Sequence, residues 1–440
     1  MPLPARLSSP VAPVAVAGTW GAVAAVPPWF EWISDAGLEG AVRAFAAILT
    51  GRATSRSALA ALLQVRSTTV SAWVSAMVRL RLVTELPSTP GARGRPLQHL
   101  VADPNRLTAS VLMVHSQSLH IVTVNLLGQV LWHDTATVPS DCDNADMLRS
   151  LRGLQRRATA QVPAGSTLVG MSYALSGLVN VAQARWVFAA RWPKMKNLPL
   201  GDGMLPPGAA VHFVRNTDAQ LRARCLRRGA DGQGGRTLLL HWGYGIGASF
   251  RAGAGRGIDD TAGFGEVGHW LLPHQRTLCR CGHTGCLETV AALWAIGPRL
   301  LGKRFDHGMD EIQTAELLRG MVLTEHPVFQ RALSEMVRAV GNLCRIFFPT
   351  DLVISGPFIE NPGAWAAFAG AFSQQGMLVD LPMPRLEAQP GGHQLEQEGA
   401  SMPLLLKGLA QLLDGALSPE PGTSKKPARQ RYHRSESIRT

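Results

Sequence analysis

Between Gly263 and Glu288 the chain runs GFGEVGHWLLPHQRTLCRCGHTGCLE, and no other stretch constrains its folding so tightly. His269, Cys279, Cys281 and Cys286 crowd four soft or borderline donors into one short segment. Thiolates and an imidazole at this density suit tetrahedral Zn²⁺ held by a Cys3His set, with every coordination position supplied by protein. Gly268, Gly282 and Gly285 allow so short a loop to reverse and turn three sulfurs towards one point. Glu266 and Glu288 flank the set. An ordinary reduced cysteine would account for one thiol, but not for three within eight residues beside a histidine. The remaining cysteines, Cys142, Cys225 and Cys344, are scattered. They form no disulfide framework, and a reducing, cytoplasmic setting is expected.

The wider pattern is Gly265-Glu266-Val267-Gly268-His269, nine residues, then Cys279-x-Cys281-Gly282-x-x-Gly285-Cys286-Leu287-Glu288. It resembles the signature of the ROK family, which contains bacterial sugar kinases and sugar-responsive transcriptional repressors. The resemblance implies an α/β actin-like ATPase (ribonuclease H-like) two-lobed fold and one structural zinc ion per chain. It also implies that Glu266, His269 and Glu288 face a sugar. It leaves open whether such a chain phosphorylates its sugar or only senses it.

At 440 residues the chain is too long for one compact core. No apolar run approaches the ~20 residues that span a bilayer, and no secretory leader pattern opens the sequence. The formal net charge of +12 is unevenly placed. Residues 41–110 carry nine arginines against Glu85 and Asp103, and residues 417–440 carry six basic groups against two acidic ones. A field focused in this way attracts polyanions, nucleic acid first. The expected division is an irregular N-terminal arm over 1–36, a DNA-binding domain over 37–104, a sugar-sensing body over 105–416 and a disordered basic tail over 417–440.

Within 37–104, Leu38, Val42, Phe45, Ala46 and Leu49 recur at helical spacing and stop at Gly51. A second short helix over Ser57–Leu63 follows, with Thr54 or Ser55 as N-cap. After a break at Gln64–Arg66, a third runs from Ser67 to Leu80 with Val70, Trp73, Val74, Met77 and Leu80 on one face. Two helices joined by a tight turn, the second with a polar N-terminal end, form a helix-turn-helix. Arg66, Ser67, Thr68, Thr69 and Ser71 can then reach base edges or phosphates in a major groove. Leu82–Leu86 and Leu97–Val101 read as the strands of a wing. Arg93-Gly94-Arg95-Pro96 between them is narrow enough for an A·T-rich minor groove. This segment resembles the winged-helix headpiece of the family's repressors, which its kinases lack.

Strands over Ser110–His115, Ile121–Asn125 and Val130–His133 open the body, and 144–160 reads as a helix. Kinases of the family carry Asp-x-Gly-Gly-Thr after the first strand, where glycine N–H groups and the carboxylate serve phosphate and Mg²⁺. Here His115-Ser116-Gln117-Ser118-Leu119 stands instead, without glycine or carboxylate. Thr217-Asp218-Ala219-Gln220 resembles the sugar-side Asn-Asp-Ala-Asn, which implies Asp218 as a fourth sugar contact. Gly243-Tyr244-Gly245-Ile246-Gly247 resembles the second phosphate loop with Tyr244 in place of Thr, and a tight hairpin explains it equally well. Ser355-Gly356-Pro357 stands where the resemblance implies the family's adenosine-side Gly-Gly turn. Helices are expected over Thr289–Leu301, Asp310–Leu323 and Val328–Phe347, the last suited to subunit packing.

These readings converge on a DNA-binding regulator, a repressor released by a sugar or sugar-derived effector. Operator DNA, the sugar and a second copy of the chain, as homodimer or homotetramer, are the expected partners. The competing expectation is a sugar kinase fused to a DNA-binding domain. A third is a sensor whose effector is a sugar-transport protein.

Overall fold

The computed structural model describes residues 40–87, 98–201, 209–227, 235–252, 265–378 and 381–417. The 1–36 arm, Arg93, Gly94 and Arg95 of the wing turn, and the tail beyond Leu417 lie outside the described residues.

Three helices form the headpiece: α1 (Gly40–Leu49), α2 (Arg56–Leu63) and α3 (Ser67–Arg79). Ser55 caps α2 by accepting from Ala58 N, and Gln64 ends it in a left-handed conformation, which sets the tight turn into α3. Val70, Val74, Ala76 and Met77 give α3 its buried face, while Trp73 and Leu80 are half-buried at its margin. The wing strands β1 (Val83–Pro87) and β2 (Gln98–Ala102) pair antiparallel. Arg56 Nε donates to Glu85 Oε1 at 2.8 Å and ties the helix pair to the wing.

The body has two lobes. In the first, β3 (Leu107–His115), β4 (Ser118–Asn125) and β5 (Val130–Thr137) form a meander, and α4 (Asn144–Ala160) follows. Strand β6 (Thr167–Leu175) is joined by a small sheet of β7 (Leu178–Asn180), β8 (Arg185–Phe188) and β9 (Lys196–Pro199) to β10 (Ala210–Arg215) and α5 (Asn216–Arg227). The sheet order is β10-β6-β3-β4-β5, parallel on the β6 side of β3 and antiparallel on the β4 side. All nine residues of β3 are buried, as a central strand covered on both faces requires.

The second lobe begins with β11 (Thr237–Trp242) and β12 (Ile246–Arg251). After the cysteine-rich loop come α6 (Glu288–Ala291), α7 (Leu293–Leu301), α8 (Glu311–Arg319) and α9 (Pro327–Phe347). The chain closes with β13 (Asp351–Ser355), α10 (Pro362–Gln375), β14 (Arg385–Gln389) and α11 (Gln394–Leu417). Its sheet runs β12-β11-β13-β14.

Two helical expectations need correction. Thr289–Leu301 is two helices, because Leu293 N and Trp294 N donate to Gly243 O and Tyr244 O and Ala292 between them is extended. The helix expected to reach Leu323 ends at Arg319, before Gly320. Helix α9 spends its apolar face inside its own lobe, burying Phe329, Met336, Val340 and Leu343 among other residues.

Helix α11, which the sequence pattern did not single out, binds the parts together. Its Leu404, Leu405, Leu406, Leu409 and Leu413 share one apolar cluster with Val42, Phe45, Leu59, Val70 and Met77 of the headpiece and Leu107 and Val124 of the first lobe. The sequence boundary at residue 104 is therefore crossed by a common core. Arg106 reinforces it, donating to Leu80 O at 2.8 Å and Thr167 Oγ1 at 2.6 Å. Pro403 lies inside α11 and cannot donate to the carbonyl one turn back, at Gly399. Arg222 Nη1 of α5 supplies that bond instead, at 2.8 Å from Gly399 O. A Cβ at Gly399 would lie 1.8 Å from Ala219 O, so glycine sets how closely α11 crosses α5. Gly399→Ala is expected to cost about 1–3 kcal/mol, the usual penalty for overpacking, read as a lower urea midpoint at unchanged slope.

Candidate functional site

The cysteine-rich loop folds as a knuckle. Short bridges pair Leu271 with Cys286 and Leu278 with Thr284, and Cys279 N donates to His283 O at 2.8 Å. Gly282 and Gly285 both turn through positive φ, at 96° and 90°, where a side chain would be strained. One ligand atom from each of His269, Cys279, Cys281 and Cys286 lies within 4.8 Å of the others. Cys281 Sγ and Cys286 Sγ are 3.7 Å apart, and Cys279 Sγ is 3.8 Å from His269 Nδ1. Sulfurs at about 2.3 Å from a tetrahedral zinc are about 3.8 Å from each other, so the donor set fits that ion and is far too open for a disulfide. Burial pushes the Cys279 thiol up, and the Cys286 thiol up to about 11. Thiolates at these positions therefore call for a cation. The set is compatible with a structural zinc ion.

The knuckle forms one wall of a cavity between the lobes. Glu266, His269 and Glu288 line it together. Glu288 is buried, with Oε1 accepting from Ile246 N and Oε2 from Trp294 Nε1, each at 2.9 Å. Each oxygen keeps a further lone pair for a hydroxyl donor. Glu266 is more open, and its carboxyl is held above the usual range by burial, with Arg215 and His269 opposing. Asp218 differs from expectation. It is buried at the third position of α5, outside the residues lining the cavity, with its carboxylate gripped by Arg215 Nε and Nη2 at 2.8 and 2.7 Å. Ser249 Oγ adds a third donor at 2.5 Å. Asp218 thus orients Arg215, which reaches towards Glu266 at 3.9 Å, while Asn216, Thr217 and Gln220 form the wall itself.

The opposite wall was mostly illegible in the sequence. The 243–247 glycines make a tight hairpin, with Gly243 N donating to Gly245 O. Tyr244 at its tip is buried, its ring stacked under Arg191 at 3.6 Å and its hydroxyl accepting from Arg280 at 2.6 Å. Its backbone N donates to Glu311 Oε1, and Glu311 Oε2 lies 2.9 Å from His241 Nε2. His115, His393 and Glu396 complete this side. They come from the end of β3 and the start of α11, so no local spacing links them. The departure of His115–Leu119 from a phosphate loop was the one available signal.

At the other end of the molecule, Arg66, Ser67 and Thr68 are exposed at the start of α3, and Thr69 and Ser71 are half-buried. No side chain caps α3, so its first N–H groups remain open to an anion.

The sequence profile of the ROK family matches residues 139–378. A protein named xylose repressor from Caldicellulosiruptor bescii is 24% identical over 330 residues, covering 70% of this chain and 80% of the relative. A glucokinase from Halalkalibacterium halodurans is 26% identical over 46% of this chain and 66% of its own length. Among solved structures, a ROK family transcriptional regulator described as a homologue of the E. coli Mlc protein superposes with a TM-score of 0.62 at 20% identity. It covers 88% of this chain and 99% of that one.

The His241–Glu311 pair makes a pH prediction. Burial disfavours the imidazolium, but the Glu311 carboxylate outweighs it and raises His241 above its ordinary 6.5. Glu311, opposed by burial, is pulled down to about 2 by His241, with the Tyr244 N–H and Arg191 helping. The His241 contribution is complete below pH 6.5 and fades as pH rises through the raised value. The Glu311 contribution is complete above the unfolded carboxylate value and fades as pH falls towards 2. The stability gap between the native chain and Glu311→Gln should therefore be widest near pH 5–6 and narrow in both directions, as measured by urea unfolding across pH.

Proposed function

The chain belongs to the ROK family, its body has the family's actin-like ATPase fold, and from that premise we propose that it is a sugar-responsive, DNA-binding transcriptional repressor. One observation carries this reading. Helix α11 begins at the interlobe cavity with Glu396 and ends in the apolar core of the headpiece, where Arg79 Nη2 donates to Ala416 O at 3.1 Å. A sugar that favours one angle between the lobes would bias this helix and so the position of α3. Operator DNA would be held by Arg66, Ser67, Thr68, Thr69 and Ser71, with Arg93, Gly94 and Arg95 in the minor groove, by a homodimer or homotetramer whose two headpieces match paired half-sites. The sugar would be held by Glu266, His269 and Glu288, with Asp218 acting through Arg215.

Zinc is assigned to His269, Cys279, Cys281 and Cys286. Bound there, it would fix the edge of the sugar pocket through His269, and Glu266 and Glu288 would serve recognition rather than proton transfer. The similarity to a glucokinase keeps a kinase as the comparison to beat. Against it stand His115–Leu119, which offers a phosphate neither glycine nor carboxylate, and the Tyr244 ring, pinned by Arg191 at the second glycine turn.

The test is fluorescence anisotropy of a labelled operator titrated with pentoses, hexoses and N-acetylated amino sugars. A sugar should release the DNA, and Glu266→Gln should weaken that response about 10- to 100-fold with sugar-free DNA affinity unchanged, the cost of one charge-assisted hydrogen bond. Arg66→Ala should reduce the salt slope of operator binding by about one. Rapid ATP-dependent phosphorylation of any of these sugars overturns the reading, and no sugar response at millimolar levels points to a transport-protein effector. For zinc, a Co²⁺-substituted chain should show thiolate charge-transfer absorption that Cys286→Ser abolishes.

A further inference from the structure

Two arginines cross the cleft between the lobes in opposite directions, and neither the sugar contacts nor the DNA surface accounts for them. Arg191 lies between β8 and β9 of the first lobe, and its Nη1 donates to His307 O of the second at 2.7 Å. Arg280 belongs to the knuckle in the second lobe, and its Nη1 donates to Ala190 O of the first at 3.1 Å. Both meet at Tyr244, where the Arg191 guanidinium stacks on the ring at 3.6 Å and Arg280 Nη1 donates to the hydroxyl at 2.6 Å. Ser116, just after β3 in the first lobe, donates to Gly308 O beside His307. Ser116, Ala190, Arg191 and Tyr244 all line the cavity, so these bonds are part of its wall.

The side chain of Tyr244 makes this meeting possible. Two neighbouring guanidinium groups repel each other, and burial works against the charge of Arg191 as well. The tyrosine ring attracts a cation to its face, while its hydroxyl accepts an N–H from the second arginine. Glu311 and Asp310 favour the Arg191 charge from nearby. Burial, followed by the Arg280 charge, lowers His307, which keeps that imidazole neutral beside the two arginines. Threonine at position 244 would remove the ring on which Arg191 rests.

Arg280 is also fixed by its place in the chain. It stands between Cys279 and Cys281, two of the four donors that come within 4.8 Å of one another. An ion shared by those sulfurs anchors the backbone on both sides of Arg280. Its guanidinium lies 4.9 Å from the Trp294 ring, whose Nε1 donates to Glu288. The knuckle, the Glu288 carboxylate and the bonds across the cleft are thus one connected set.

We propose that Arg191, Arg280 and Tyr244 form a latch that holds the two lobes at one angle, and that the knuckle, by positioning Arg280, sets whether the latch closes. The proposal takes the zinc assignment of the knuckle as its premise and requires neither DNA nor sugar.

The experiment measures the distance between the lobes in the full chain. Ketone-bearing amino acids in place of exposed Arg152 on α4 and Ser334 on α9 take spin labels without touching the knuckle thiols, and double electron–electron resonance reads the distances. The metal-loaded chain should give one narrow population. Arg280→Gln and Tyr244→Thr should each raise the ratio of displaced to latched chains about 10- to 100-fold, the loss of one charge-assisted hydrogen bond, with metal content unchanged. Tyr244→Phe keeps the ring under Arg191 and should give an intermediate ratio. Removing the ion with chelator should displace the otherwise native chain, and adding Zn²⁺ should restore it. Circular dichroism checks that each sample is folded, and a merely structural role for Arg280 would lower stability without moving the distance. An unchanged distribution in folded Arg280→Gln and Tyr244→Thr overturns the latch, and an unchanged distribution in the folded, stripped chain overturns its control by the knuckle. No readout involves operator or effector, so failure here is distinguishable from failure of the repressor reading.

Discussion

The packing of α11 against both the first lobe and the headpiece is the constraint on which the rest depends. Headpiece helices as short as α2 and α3 bury little surface by themselves, and isolated helices of that length are marginal in water. The leucines of α11 supply a further apolar partner, and the headpiece shares one core with the body. The same helix must pass within van der Waals contact of α5, and this explains three residues that are otherwise puzzling. Gly399 permits the approach, Pro403 interrupts the helical bonding beside it, and Arg222 satisfies the carbonyl that Pro403 leaves free.

The cavity follows from that arrangement. Its knuckle wall is built from a contiguous loop, and the carboxylates at and behind it are already engaged by the protein: Glu288 in the wall by two N–H donors, and Asp218 behind it by Arg215 and Ser249. Groups held in this way are fixed in orientation before a ligand arrives, which favours recognition. The opposite wall is crowded by the Tyr244 ring, its two arginine neighbours and the half-buried His241–Glu311 pair. The side chains of this wall are bonded to one another.

Much of the fold could be read in advance because its signals are local. The N-cap at Ser55, the break at Gln64, the α3 stripe and the helix at 144–160 each depend on residues within a few positions. The knuckle belongs to the same class, since its four donors and its glycines lie in one segment. Asp218 shows the limit of this approach. Its neighbours resemble a sugar-side motif, but the side chain that claims it, Arg215, ends the preceding strand three residues away, and Ser249 arrives from another strand. Helix α11 is hidden in the sequence because its amphipathic pattern is interrupted by Gly399 and Pro403, residues whose purpose appears only at the crossing with α5.

The sequence by itself therefore determined the family, the four donors that meet in the knuckle and three residues that line the cavity, because each of these is encoded at short range. Only the tertiary structure decided which side chains meet across the cavity. His115, His241, Glu311, His393 and Glu396 come from β3, β11, α8 and the start of α11, and only the closure of two lobes around a shared helix brings them together. Contacts between residues so far apart in the chain carry no periodicity, because packing rather than spacing creates them.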